Sequence, residues 1–123
     1  MASDYQGKKC FHFGFKYALN GLMYAIKKER NVKIHLLATA VVFILGIWTK
    51  LSFIEWAVLS LTCGTVIGME VMNTAVETAL NYLEPNKRIA VGLAKDLAAG
   101  AVLVTAIFAI IIGCCIFLPH WIN

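Results

Sequence analysis

The run Leu97–Leu118 contains no charged residue. A helix of ~20 residues crosses a hydrocarbon core of ~30 Å, so a stretch of this length and polarity is suited to lipid. Two further segments behave alike. Val32–Leu51 carries Lys33 and His35 at its start and is then uncharged from Leu36 to Trp48, and Phe53–Met69 holds only Glu55, near its beginning. Composition agrees with three spans, since 60% of the 123 residues are hydrophobic, 15% are charged and the mean hydropathy is +0.76. That balance is too apolar for an ordinary soluble fold, and the length suits one domain. About 30 residues of charged and aromatic sequence precede the first span without a cleavage site, which does not read as a signal peptide.

The expected fold is all-α and integral to the membrane. It comprises an N-terminal amphipathic surface helix over about 10–29 and spans over about 32–51, 53–83 and 93–118. The second span continues as one helix beyond Glu77 and stops ahead of Pro85, because the residue before a proline disfavours helix.

Basic residues set the expected orientation. Lys8, Lys9, Lys16, Lys27, Lys28, Arg30 and Lys33 precede or open the first span, and Lys87, Arg88 and Lys95 lie between the second and third. Only Lys50 falls in the loop joining the first two. The positive-inside rule places the N-terminus in the cytoplasm and the C-terminus outside. Trp48, Trp56 and Trp121 then all fall at the outer interface, which amphipathic rings favour. The net charge of +4 is thus explained by membrane topology, with no call for nucleic acid. Cys10, Cys63, Cys114 and Cys115 show no disulfide framework or metal-ligand spacing.

Ahead of the first span, Phe11, Phe15, Leu19, Leu22 and Ile26 recur at three- and four-residue steps, with Lys16, Asn20, Lys27 and Lys28 largely elsewhere around the helix. This pattern describes a helix lying in the headgroup plane, either as a plain anchor or as part of a site. Glu29 follows as an isolated acid among basic residues, at the depth where the Glu77 end of the second helix should emerge. Pairing with its basic neighbours is the alternative.

Within the second helix, Glu70, Asn73 and Glu77 stand at i, i+3 and i+7, which aligns them on one face. A carboxylate at membrane depth costs roughly 2.5 kcal/mol or more, so such residues usually mark a working site. Two acids and an amide on one stripe suit a cation better than a salt bridge, although neutralisation by a neighbouring lysine is the bland reading. Gly64 and Gly68 form a GxxxG pair that lets a helix approach closely. The third helix opens at Leu93-Ala-Lys-Asp96 and continues with a small face, Ala98–Ala101. Lys95 and Asp96 stand at its cytoplasmic mouth, where Asp96 either meets a ligand or simply complements the helix dipole. No Walker or dinucleotide fingerprint occurs.

These groups converge on one interface. Acids that hold Mg²⁺ beside a nucleotide, with a deeper carboxylate to take a hydroxyl proton, suit phosphoryl transfer to a membrane-embedded alcohol. Three spans supply few walls for such a site, so sharing between subunits is expected. Two rivals stand: a small proton-coupled transporter, and a non-enzymatic membrane subunit.

The chain resembles the small bacterial membrane kinases that comprise diacylglycerol kinase and undecaprenol kinase. The likeness runs from about Phe15 through the third span. It rests on Glu70-x-x-Asn73-Thr-Ala-x-Glu77, on Ala94-Lys95-Asp96 with Ala98-Ala-Gly-Ala-Val102, and on Asn20-Gly-Leu22 followed seven residues later by Glu29. The resemblance implies a homotrimer in the bacterial cytoplasmic membrane, with ATP as co-substrate and Mg²⁺ as cofactor. It implies Glu70 as catalytic base, Asn73 as the residue orienting the site, and Glu29 and Glu77 as metal ligands. Tyr17, Lys95 and Asp96 match nucleotide-contacting positions. Asn86-Lys87-Arg88, taken as further nucleotide contacts, stands where members often carry an acidic-Tyr-His loop. Asn81 replaces a frequent Asp, and Cys10 a basic residue found in some members. Undecaprenol is favoured as the acceptor over diacylglycerol, because the family's Gram-positive branch uses it.

Overall fold

The computed structural model describes residues 12–86 and 88–123, with side chains from residue 14 onward. Lys8, Lys9, Cys10, Phe11 and Lys87 lie outside the described residues. Four helices follow in order: α1 (His12–Lys28), α2 (Arg30–Thr49), α3 (Phe53–Leu83) and α4 (Ile89–Ile122). No strand occurs among the described residues. The last three are long and apolar enough to cross a membrane.

One residue separates α1 from α2. Glu29 adopts an extended backbone (φ −101°, ψ 115°) and makes no side-chain cap. Helical hydrogen bonding nonetheless continues on both sides, with Glu29 N–H donating to Ala25 O at 2.9 Å and Lys33 N–H donating to Glu29 O at 3.3 Å. Ala25 and Val32, flanking this elbow, are buried. Along α1, Phe15, Leu19 and Leu22 are exposed, so the chain leaves most of that apolar stripe uncovered.

The α2–α3 turn is built from capping chemistry at both sides. Lys50 N–H donates to Ile47 O (3.2 Å) and Leu51 N–H to Gly46 O (3.3 Å), the paired bonds of a Schellman motif. That motif needs a left-handed residue, and Lys50 supplies it at φ 62° without being glycine. Gly46 is required for another reason: a Cβ there would stand 2.8 Å from Trp56 Cη2 and 3.0 Å from Leu51 Cδ1. Ser52 then opens α3 with a capping box, its Oγ accepting from Glu55 N–H (3.3 Å) and its own N–H donating to Glu55 Oε2 (2.8 Å).

Helix α3 runs without a break to Leu83 and ends at Glu84, one residue before Pro85, as the sequence predicts. Thr62, Thr65, Thr74 and Thr78 each donate a hydroxyl to the carbonyl four residues back, which satisfies these polar groups within the helix. The other spans differ from expectation at their ends. Helix α2 occupies Arg30–Thr49 rather than 32–51, since the Schellman turn claims Lys50 and Leu51. Helix α4 starts at Ile89 rather than Leu93 and continues to Ile122, with Pro119 in its final turn. Charges at Lys95 and Asp96 end an apolar run, but they do not interrupt backbone hydrogen bonding.

Short turns make α2, α3 and α4 antiparallel neighbours. The buried cluster of Leu51, Leu59, Ile116 and Phe117 lies toward the α2–α3 turn, with Phe43, Trp56 and Ile112 packed on it. Phe43 meets Trp56 edge to face at 5.4 Å between ring centroids. Only 11%, 17% and 17% of the most apolar windows of α2, α3 and α4 are buried within the chain. Their remaining apolar surface fits lipid or neighbouring chains.

Candidate active site

Helix α3 has 31 residues, and at ~1.5 Å per residue it is ~46 Å long, well beyond a ~30 Å hydrocarbon core. Counting ~20 residues from its capped start spends the hydrocarbon near Met72. Glu70 then sits just inside the apolar layer, with Asn73 and Glu77 beyond it. By length alone, α3 is long enough to carry Glu77 past a hydrocarbon core that would still hold Glu70.

The stripe forms as the spacing predicts. Glu70 is buried, at 4% exposure, and Asn73 and Glu77 are half-buried. Asn73 donates from Nδ2 to Glu77 Oε1 at 3.1 Å. A carboxylate demands the NH₂ side of the amide, which turns Oδ1 the other way. That Oδ1 is buried and has no hydrogen-bond partner. A buried acceptor left open beside a carboxylate is costly unless a donor or cation meets it.

The partner of Glu70 comes from α2. His35 Nε2 approaches Glu70 Oε1 to 3.4 Å. The group beside Glu70 is thus an imidazole and not the lysine of the bland reading. Its signal was present in the sequence as a histidine just inside an otherwise apolar span. This contact also marks the register of α2 against α3. Glu29 lies six residues before His35, and Glu77 seven after Glu70, so both stand ~9–10 Å further along the same direction. Glu29 is half-buried at the elbow.

Helix α4 brings Lys95, whose Nζ donates to Asn81 Oδ1 at 2.6 Å. An amide partner orients the lysine without cancelling its charge. Asp96, next to it, is exposed, and Tyr17 on α1 is half-buried. In the α3–α4 turn Asn86 is exposed and Arg88 Nε pairs with Glu84 Oε2 at 3.1 Å. The site residues thus gather at one end of the bundle, although no three His, Cys, Asp or Glu side chains converge to hold a metal ion among the described residues. The donors present still suit Mg²⁺, which takes one or two carboxylates and leaves its other positions to phosphate and water. The open Asn73 Oδ1 beside Glu77 belongs to the same oxygen-rich set.

Between α2, α3 and α4 runs a cavity of ≈ 400 Å³ that includes His35 at the site end and Ala38, Cys63, Ala109 and Gly113 along its walls. It is apolar over most of its length, and it reaches the Glu70 partner.

This end of the bundle thus combines one buried and two half-buried acids, an open buried acceptor and an apolar groove that reaches the partner of Glu70, an arrangement suited to chemistry on a lipid. Residues 16–117 match the family described as prokaryotic diacylglycerol kinase. The undecaprenol kinase of Bacillus subtilis is 38% identical over 109 residues, covering 89% of this chain and 89% of that protein. A diacylglycerol kinase of a Synechocystis species is 40% identical over 111 residues, covering 85% of this chain and 61% of its own length. The chain belongs to the prokaryotic diacylglycerol kinase family, and is a membrane phosphotransferase that acts on lipid alcohols. Membership sets aside the transporter and the non-enzymatic subunit.

Proposed function

We propose that the chain phosphorylates undecaprenol at the cytoplasmic face of a bacterial membrane, using ATP and Mg²⁺, with diacylglycerol as the alternative acceptor. The observation that carries this reading is the placement of Glu70, a buried carboxylate whose partner His35 lines the apolar groove between three helices. A lipid alcohol lying in that groove presents its hydroxyl toward Glu70. Glu70 takes the hydroxyl proton as the alcohol oxygen bonds to the γ-phosphorus and the bond to the bridging oxygen breaks, releasing ADP. Asn73 holds Glu77 in place through its amide. Glu29 and Glu77 would hold Mg²⁺, which when bound neutralises phosphate charge. Lys95 and Asp96 at the mouth of α4, Tyr17 on α1, and Asn86, Lys87 and Arg88 in the turn contact the nucleotide.

The active unit is a homotrimer with α1 lying in the headgroup plane, the N-terminus cytoplasmic and the C-terminus outside. Support for assembly is that a Cβ at Gly64, Gly68 or Gly100 would meet nothing within 4 Å, so these small faces are open to a neighbour. Support for undecaprenol is that the relative named for it is matched along 89% of both chains. Steady-state kinetics of the purified protein with each lipid alcohol test the choice. A higher kcat/KM for undecaprenol is expected, and a higher value for diacylglycerol would reverse the assignment.

A further inference from the structure

His35 lies both 3.4 Å from the Glu70 carboxylate and on the wall of the groove, with about a quarter of its side chain exposed. The other polar groups along that wall are already spent. Thr39 donates its hydroxyl to His35 O at 2.8 Å, and Thr62 donates to Val58 O at 2.7 Å. Cys63 behaves as a small apolar group. His35 is therefore the polar side chain of the groove wall that is directed to the acid stripe and not back to its own helix. Lys33 does not duplicate it, because two residues turn a helix by about 200°.

We propose that His35 is a positioning residue for phosphoryl transfer. It holds Glu70 by Oε1 and leaves Oε2 to meet the alcohol hydroxyl at the groove's mouth. This rests on Glu70 being the proton acceptor. In the step itself the alcohol oxygen bonds to the γ-phosphorus, the γ-phosphorus to bridging-oxygen bond breaks with its electron pair leaving on ADP, and the proton passes to Glu70 Oε2. His35 neither gains nor loses a bond to the reacting atoms. A carboxylate with one partner and little solvent is free to rotate unless that partner holds it, and misplacement by about 1 Å can cost ~100-fold in rate.

The test uses the full chain in bilayers with each lipid alcohol. His35→Leu should lower kcat about 10–100-fold while KM for ATP stays unchanged. His35→Gln, which retains an N–H donor, should recover much of that loss. More than half the wild-type turnover in His35→Leu overturns the proposal, as does a loss that appears in KM for ATP with kcat held. A second measurement does not depend on the His35 variants folding: ¹⁵N histidine spectra of wild type and Glu70→Ala. The His35 Nε2 resonance should move when its partner is removed, and an unmoved resonance overturns the contact. Glu70→Gln run in parallel separates the two failures. If Glu70→Gln stays active, the base assignment falls and this proposal with it; if Glu70→Gln is inactive while His35→Leu is active, His35 alone falls.

Discussion

At the end where α2 turns into α3, polar groups close on one another. Ser52 and Glu55 cap each other, His120 Nε2 lies 2.8 Å from Glu55 Oε1, and Trp121 donates its indole N–H to Thr49 Oγ1 at 3.2 Å. Phe117 stacks on Trp121 with 5.3 Å between ring centroids, and the buried apolar cluster lies beneath. At the opposite end Asn73 Oδ1 is buried without a partner, and Asp96 faces outward. The same chain therefore closes one end on itself and leaves the other under-satisfied. A polar group satisfied internally has nothing left to offer a ligand, whereas an open acceptor and a lysine with uncancelled charge have. On the proposed function, stability resides at the closed end and catalysis at the open one, and substitutions at each end test that division.

The largest effect is expected from the open end. Glu70→Gln should cut turnover by about 10²–10⁴-fold, the range of general base catalysis, with nucleotide binding and thermal stability little changed. Turnover above half that of wild type would remove Glu70 from the role.

Glu29→Ala and Glu77→Ala come next. Each should raise the magnesium concentration needed for half-maximal activity, while the size of the assembly is preserved. Unchanged magnesium titrations in both would contradict the metal assignment. At a magnesium concentration where neither variant alone is active, mixing Glu29→Ala and Glu70→Gln subunits should restore part of the activity if one site draws on two chains.

The closed end should respond in the opposite sense. Gly46→Ala forces a methyl group against the Trp56 ring, and overpacking of this kind costs about 1–3 kcal/mol. Denaturation should show that loss, while kcat per folded molecule is retained; an unchanged unfolding midpoint would mean the ring moves aside freely. Smallest is Glu55→Gln, which weakens a solvent-screened pairing with His120 and should lower the unfolding midpoint only slightly. Activity should not follow it, and a large fall in kcat would show that the two ends are coupled after all.

Several of these features were legible in the residues. The bounds of α3 follow from the apolar run that begins at Phe53 and from Pro85 after its end, both local signals. The acid stripe needed only helical spacing. The bounds of α4 were harder, because an apolar run records the thickness of hydrocarbon while helical hydrogen bonding passes through Lys95 and Asp96 unaffected. His35 shows in the sequence as a histidine inside an apolar span, but its pairing with Glu70 does not. That pairing depends on the register of α2 against α3, which is set by a turn whose left-handed residue is Lys50, where glycine or asparagine would have advertised the geometry.

The elbow at Glu29 carries a mechanical consequence. With one extended residue between α1 and α2 and helical bonds on both sides, there is no slack chain to absorb motion between them. Any tilt or roll of α1 about that point must turn the backbone that bears the Glu29 carboxylate. The helix and the acid behave as crank and pin: a force applied along α1 is transmitted to the position of a single pair of oxygens.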